Sequence, residues 1–111
     1  MLVAAFFAAL CVAAACARAG EAPMPVGADA NDPVLMSGRA IWINRCARCH
    51  APNGSGGAGP RLAGKVTNAY PDASAEIAVV RNGKGSGMPA WKSVLSEADI
   101  AAVVDYTRRV L

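Results

Sequence analysis

The chain has 111 residues, 11 basic and 8 acidic side chains, a formal charge of +3 and a 54% hydrophobic composition. That length bounds it to one compact domain with a modest core, and so small a positive excess excludes a nucleic-acid footprint. The apolar excess sits mainly at one end. Leu2 to Ala17 is almost uninterruptedly apolar and is followed by Ala17-Arg18-Ala19, a small-x-small cleavage site, so residues 1–19 read as a secretory signal peptide. The stretch is shorter than the roughly 20 residues that span a bilayer as a helix. Cys11 and Cys16 fall inside it, and Val12 to Cys16 faintly resembles a lipoprotein signal with Ala13 where Leu is usual. Membrane attachment would therefore follow only from an uncleaved leader or from acylation of Cys16. Cleavage removes Arg18 and no acid, leaving a formal +2 on an exported, periplasmic protein with two cysteines.

Residues 20–31 mix Pro, Gly and small polar residues without periodicity and read as a flexible lead-in to a domain over 32–111. Asn31 or Asp32 offers an N-cap and Pro33 suits the first helical position, where its missing N–H has no partner to lose. Leu35, Gly38, Ile41, Trp42, Arg45, Cys46 and Cys49 then recur at helical spacing, which predicts a helix over about 33–48. Ala51 to Gly64 is rich in glycine and holds two prolines, a loop composition. Its run Gly54-Ser55-Gly56-Gly57-Ala58-Gly59 is no phosphate loop, because neither a strand nor a helix start flanks it. A shorter helix is expected over about 73–81, led in by Pro71-Asp72 and stopped by Asn82-Gly83, with a second Gly-rich stretch to Gly87. Ser96, with Glu97 and Asp99, caps a last helix. Its Ile100, Val103, Val104, Thr107 and Leu111 form one face, and Arg108 and Arg109 complement its C-terminal dipole. No strand pattern and no repeat is visible, so the fold class is all-α.

Cys46-Ala47-Arg48-Cys49-His50 is a C-x-x-C-H run, the signature of haem attachment. On a helix or its last turn, positions i, i+3 and i+4 share a face, so two thiols and an imidazole address one porphyrin edge. Both thiols can form thioethers with the vinyl groups while His50 reaches the iron as proximal ligand. A structural zinc site needs four ligands and the exported chain offers three. A thioredoxin-like pair should follow a strand, and a simple disulfide leaves the adjacent histidine unexplained. His50 is the only histidine, so methionine is the candidate for the sixth position. Of Met24, Met36 and Met88, the first lies in the lead-in and the second reads as core filler. Met88 sits in Gly85-Ser86-Gly87-Met88-Pro89, where glycines let backbone approach a flat ligand and Pro89 fixes the turn. The metal ligands are thus His50 and Met88, and the cofactor is one haem c held through Cys46 and Cys49.

From Pro33 to Leu111 the chain resembles the class I c-type cytochromes. Gly38, Trp42 and Cys46 match the family's small-x3-aromatic-x3-Cys pattern. The resemblance implies three to four helices wrapped around one covalently bound haem, with the first crossing close to a last helix that carries Tyr106. It also implies that Pro60, in Gly59-Pro60-Arg61-Leu62-Ala63-Gly64, accepts the proton of His50 through its carbonyl, that Leu62 packs on the haem, and that Asn82 to Trp91 is the distal-ligand loop. Outside that likeness, Tyr70, Trp91, Arg61 and Lys65 each offer a donor that could contact the propionates and could equally be a packing or solvated residue. A six-coordinate iron has no open position for substrate, so the expected function is one-electron transfer, as a soluble shuttle or a cytochrome subunit of a redox chain, and not enzymatic catalysis. Gas-binding four-helix cytochromes carry their attachment motif near the C-terminus, whereas here it comes early. The expected partners are a redox donor and acceptor with an acidic docking surface, facing a basic rim of Arg45, Arg48, Lys84 and Lys92 on a monomer.

Overall fold

Asp32 accepts hydrogen bonds at Oδ1 from the Val34 and Leu35 amides, at 2.9 and 3.2 Å, and with Pro33 at the first position this starts helix α1, Pro33–Ile41. The helix does not stop there. It widens into a π-helical stretch, Trp42–Cys46, and resumes as α2, Ala47–His50, so the expected helix continues to the histidine itself. Ala51, at φ 65°, ends it in a conformation few side chains adopt. A short helix absent from the sequence reading, α3, occupies Val66–Ala69. Helix α4, Ala73–Asn82, starts where Asp72 accepts from the Ser74 amide at 2.9 Å, and α5, Glu97–Arg109, starts in a reciprocal capping box between Ser96 and Asp99. The computed structural model describes residues 20–111, and the leader, with Cys11 and Cys16, lies outside the described residues. Among those described there is no strand, only an isolated antiparallel bridge between Lys84 and Met88.

The core forms where α1 crosses α5. Leu35, Trp42, Ile100, Val103 and Tyr106 are the largest fully buried side chains, and burial of an apolar side chain of this size stabilises by about 1.5–3 kcal/mol. Gly38 sets the crossing distance: a β-carbon there would lie 2.8 Å from the Ala102 carbonyl carbon and 2.9 Å from Tyr106 Cβ. The small residue expected at this position is therefore a requirement of the packing.

The segment 20–31, which composition reads as flexible, lies packed on this crossing. Ala22 is buried in the same core as Trp42 and Tyr106. The Tyr106 hydroxyl donates to the Pro23 carbonyl at 2.8 Å, and Arg39 donates to the Ala22 and Pro23 carbonyls. Arg109, at the end of α5, pairs with Asp29 and Asp32. Backbone carbonyls do most of this anchoring, and a carbonyl leaves no mark in the sequence.

Candidate functional site

The continuous α1–α2 helix delivers Trp42, Cys46, Cys49 and His50 to one side of the molecule. There they line a mostly apolar cavity of about 590 Å³. Its other walls come from the loop carrying Pro60 and Leu62, from Val66 of α3, from Val79 and Val80 of α4, from the Met88 loop, and from Val103 and Val104 of α5. That size falls within the range of cofactor pockets, and the few polar groups converging on an apolar lining suit a large flat apolar ligand.

Cys46 and Cys49 are unpaired thiols, each half-buried. Burial, reinforced by neighbouring Cys49, pushes the Cys46 thiol up to about 11, so this sulfur stands in the apolar wall as a neutral group. His50 is 8% exposed, and its Nδ1 lies 2.8 Å from the Pro60 carbonyl oxygen. A carbonyl only accepts, so Nδ1 carries the ring proton and Nε2 keeps a free lone pair. This is the tautomer a metal-binding imidazole requires. The loop is clasped to the helix end by Gly59 N–H donating to the Cys49 carbonyl at 2.7 Å and Gly56 N–H to the His50 carbonyl at 2.8 Å. Gly59 must be glycine, since a β-carbon there would stand 2.8 Å from His50 Cε1. Trp42 braces the other side: its ring is stacked toward His50 at 6.0 Å, and its Nε1 donates to the Pro52 carbonyl at 2.8 Å.

Met88 lines the cavity, whereas Met24 and Met36 do not. Met36, expected as core filler, is 37% exposed on α1, because the buried stripe of that helix runs through Leu35 and Gly38 instead. Lys84 and Met88 exchange both backbone hydrogen bonds, at 3.1 and 3.2 Å, which closes the loop at its base. The Trp91 and Lys92 amides tie its far end to the Val80 and Arg81 carbonyls of α4. Lys84 Nζ donates to the Tyr70 hydroxyl at 2.8 Å, latching the loop to the α3–α4 connection. Tyr70, Trp91 and Arg61 line the cavity, as do Arg45 and Lys84, but Lys65 does not.

Two wall residues, Glu76 and Thr107, escaped the sequence reading as a group with Arg108 behind them. Glu76 of α4, 5% exposed, accepts from the Thr107 hydroxyl at Oε1 and from Arg108 at Oε2. The available signal was an acid, Glu76, at helical spacing from Val79 and Val80.

The family model of the cbb3-type cytochrome c oxidase subunit III matches residues 33–106. Cytochrome c6 of Euglena gracilis is 40% identical over 74 residues, 62% of this chain and 84% of that protein. Cytochrome c55X of Stutzerimonas stutzeri is 37% identical over 65 residues, 59% of this chain, and the chain spans 58% of that relative's length. The crystal structure of cytochrome c6 from the diatom Phaeodactylum tricornutum superposes with a TM-score of 0.57 at 29% identity, over 66% of this chain and 88% of the other. Two thiols and one imidazole, arranged as the C-x-x-C-H spacing requires on one wall of an apolar cavity, fit the group these relatives share. The chain belongs to the cytochrome c family of that model, in its class I form, with one covalently attached haem c as its cofactor.

Proposed function

We propose that this protein is a one-electron carrier whose haem c would be held by Cys46, Cys49, His50 and Met88, leaving no open position for a substrate. The observation that carries the reading is that Cys46, Cys49, His50 and Met88, drawn from opposite ends of the domain, line one cavity. Haem c supplies a one-electron iron couple when bound. Cys46 and Cys49 hold it through thioethers, and His50 presents Nε2 because Pro60 holds the proton on Nδ1. Met88 presents a soft thioether from a loop closed by the Lys84 bridge, which favours the ferrous state and raises the potential above that of a bis-histidine site. Leu62 and the valines of α4 and α5 exclude water. With the iron's positions taken by His50 and Met88, the role is that of a carrier or cytochrome subunit and not of an enzyme, in line with the electron-carrier cytochromes the chain resembles.

The reading extends to an exported, periplasmic monomer that loses residues 1–19 and exchanges electrons with a donor and an acceptor protein. Arg45 and Lys84 line the cavity, and Arg45, Arg48, Lys84 and Lys92 are exposed, a basic rim suited to an acidic docking surface. Two measurements on the exported protein test the core of this proposal. Mass spectrometry should show one haem added, with the colour staying on the polypeptide after acid-acetone extraction, and voltammetry should show one reversible one-electron wave. Haem extracted by acid-acetone, or no reversible wave, contradicts it.

A further inference from the structure

Glu76 stands out as the one carboxyl, among the described residues, in the wall of a mostly apolar cavity, and it is nearly buried. Its hydrogen bonding has an unusual property. Thr107 Oγ1 lies 2.5 Å from Glu76 Oε1 and 2.8 Å from the Val104 carbonyl oxygen, yet a hydroxyl has one proton to donate. With Glu76 ionised, that proton goes to Oε1, and the Val104 carbonyl keeps its helical partner. With Glu76 protonated, its own O–H donates to Thr107 Oγ1, and the hydroxyl turns to the Val104 carbonyl. Both states leave every buried polar atom paired, and one hydroxyl rotation connects them. Leaving a buried donor or acceptor unpaired carries a desolvation cost, and neither state of Glu76 incurs it.

We propose that Glu76 is a redox-linked proton site: its carboxylate takes one proton from water when the protein accepts one electron from a donor protein, and returns it to water on oxidation. The balance is one electron and one proton in each direction, so reduction leaves the charge of this part of the interior unchanged. The inference rests on the electron-carrier reading. Coupling follows from placement, since charges separated by low-dielectric interior interact several times more strongly than in water.

The charged and titratable groups around Glu76 set the window. From α5, Arg108 Nη1 lies 3.2 Å from Oε2 and is itself fixed by the Tyr70 and Pro71 carbonyls, so it stays in place in both states. On Glu76's own helix, Asp72 caps the first turn and also feels Arg108. Across the cavity stand the Tyr70–Lys84 pair, Arg45, Arg61, His50 and the two cysteines. Burial pushes the Glu76 carboxyl above the usual glutamate range, and the bonds from Thr107 and Arg108 pull it partly back.

The test is the midpoint potential of the holoprotein measured against pH by spectroelectrochemistry, with reduced-minus-oxidised infrared difference spectra. The wild type should show a limited pH range in which the potential falls with rising pH, approaching about 59 mV per unit for one proton per electron. On reduction it should gain a protonated-carboxyl stretch. Glu76→Gln should lose both the slope and the band. Thr107→Val removes the hydroxyl that favours the ionised form, so the sloping range should move to higher pH. A flat wild-type potential, or a slope that persists in Glu76→Gln, overturns the proposal while leaving the electron carrier standing. Absence of any reversible one-electron couple overturns both.

Discussion

His50 shows how one side chain is given its role by a neighbour's backbone: the Pro60 carbonyl fixes the proton on Nδ1, and the other nitrogen is left as a ligand. Tyr106 is likewise fixed by a backbone carbonyl. Its hydroxyl, donated to the Pro23 carbonyl, is buried, and burial pushes it up to about 12. The folded state therefore holds this proton more tightly than the unfolded chain does. Its contribution to stability is complete below the ordinary tyrosine value and is lost as pH rises from about 10 through about 12. Comparing denaturant midpoints of wild type and Tyr106→Phe should show a gap of about 1 kcal/mol near neutrality that shrinks across that range. The neutral-pH cost stays modest because Arg39 also donates to the Pro23 carbonyl. A gap that does not change with pH contradicts the assignment. That Cys46, Cys49, His50 and Met88 line one cavity agrees with the sequence signal, because each is a rare residue type in a telling context. Glu76 was harder to read, since its one signal, helical spacing from Val79 and Val80, is shared by many acids that stay on a solvated face.

At the level of elements, the close contact of α1 and α5 depends on the missing side chain at Gly38. Gly38→Ala should gain about 1 kcal/mol of helix propensity and lose more, because the added carbon meets Ala102 and Tyr106 inside normal contact distance. An overpacking cost near the upper end of about 1–3 kcal/mol, less that gain, leaves an expected net loss of about 1–2 kcal/mol in denaturant unfolding of the holoprotein. Unchanged or improved stability would show that α5 shifts freely and that the crossing is not tight. The three longer helices were readable from caps and periodicity: Asp32 with Pro33, Asp72, and the Ser96–Asp99 box all start helices where the residues signal them. Two features were not. The π-helical stretch Trp42–Cys46 keeps helical spacing in sequence while altering the local winding, and the segment from Ala22 to Asp32 is held by carbonyls and by Arg109, a residue whose expected task was only to complement a dipole.

Across the whole molecule the charges are segregated. Arg81, Arg108 and Arg109 form the ion pairs with Glu97, Glu76, Asp29, Asp32 and Asp105, whereas Arg45, Arg48, Lys84 and Lys92 make none among the described residues. Exposed charges are screened over about 10 Å at 0.1 M salt, so rising ionic strength should slow stopped-flow reduction by the physiological donor. A rate indifferent to salt would remove steering by this rim. The central claim, a haem closed on both sides by this chain's own ligands, has a more direct test in carbon monoxide binding to the ferrous protein at neutral pH. Wild type and Met36→Ala, whose side chain is partly exposed on α1, should not bind it. Met88→Ala should bind it and show a lower potential, because water or a nitrogen ligand favours the ferric state more than a thioether does. Ready binding of carbon monoxide by the unmutated ferrous protein would contradict the closed site and make the chain a ligand-binding cytochrome instead.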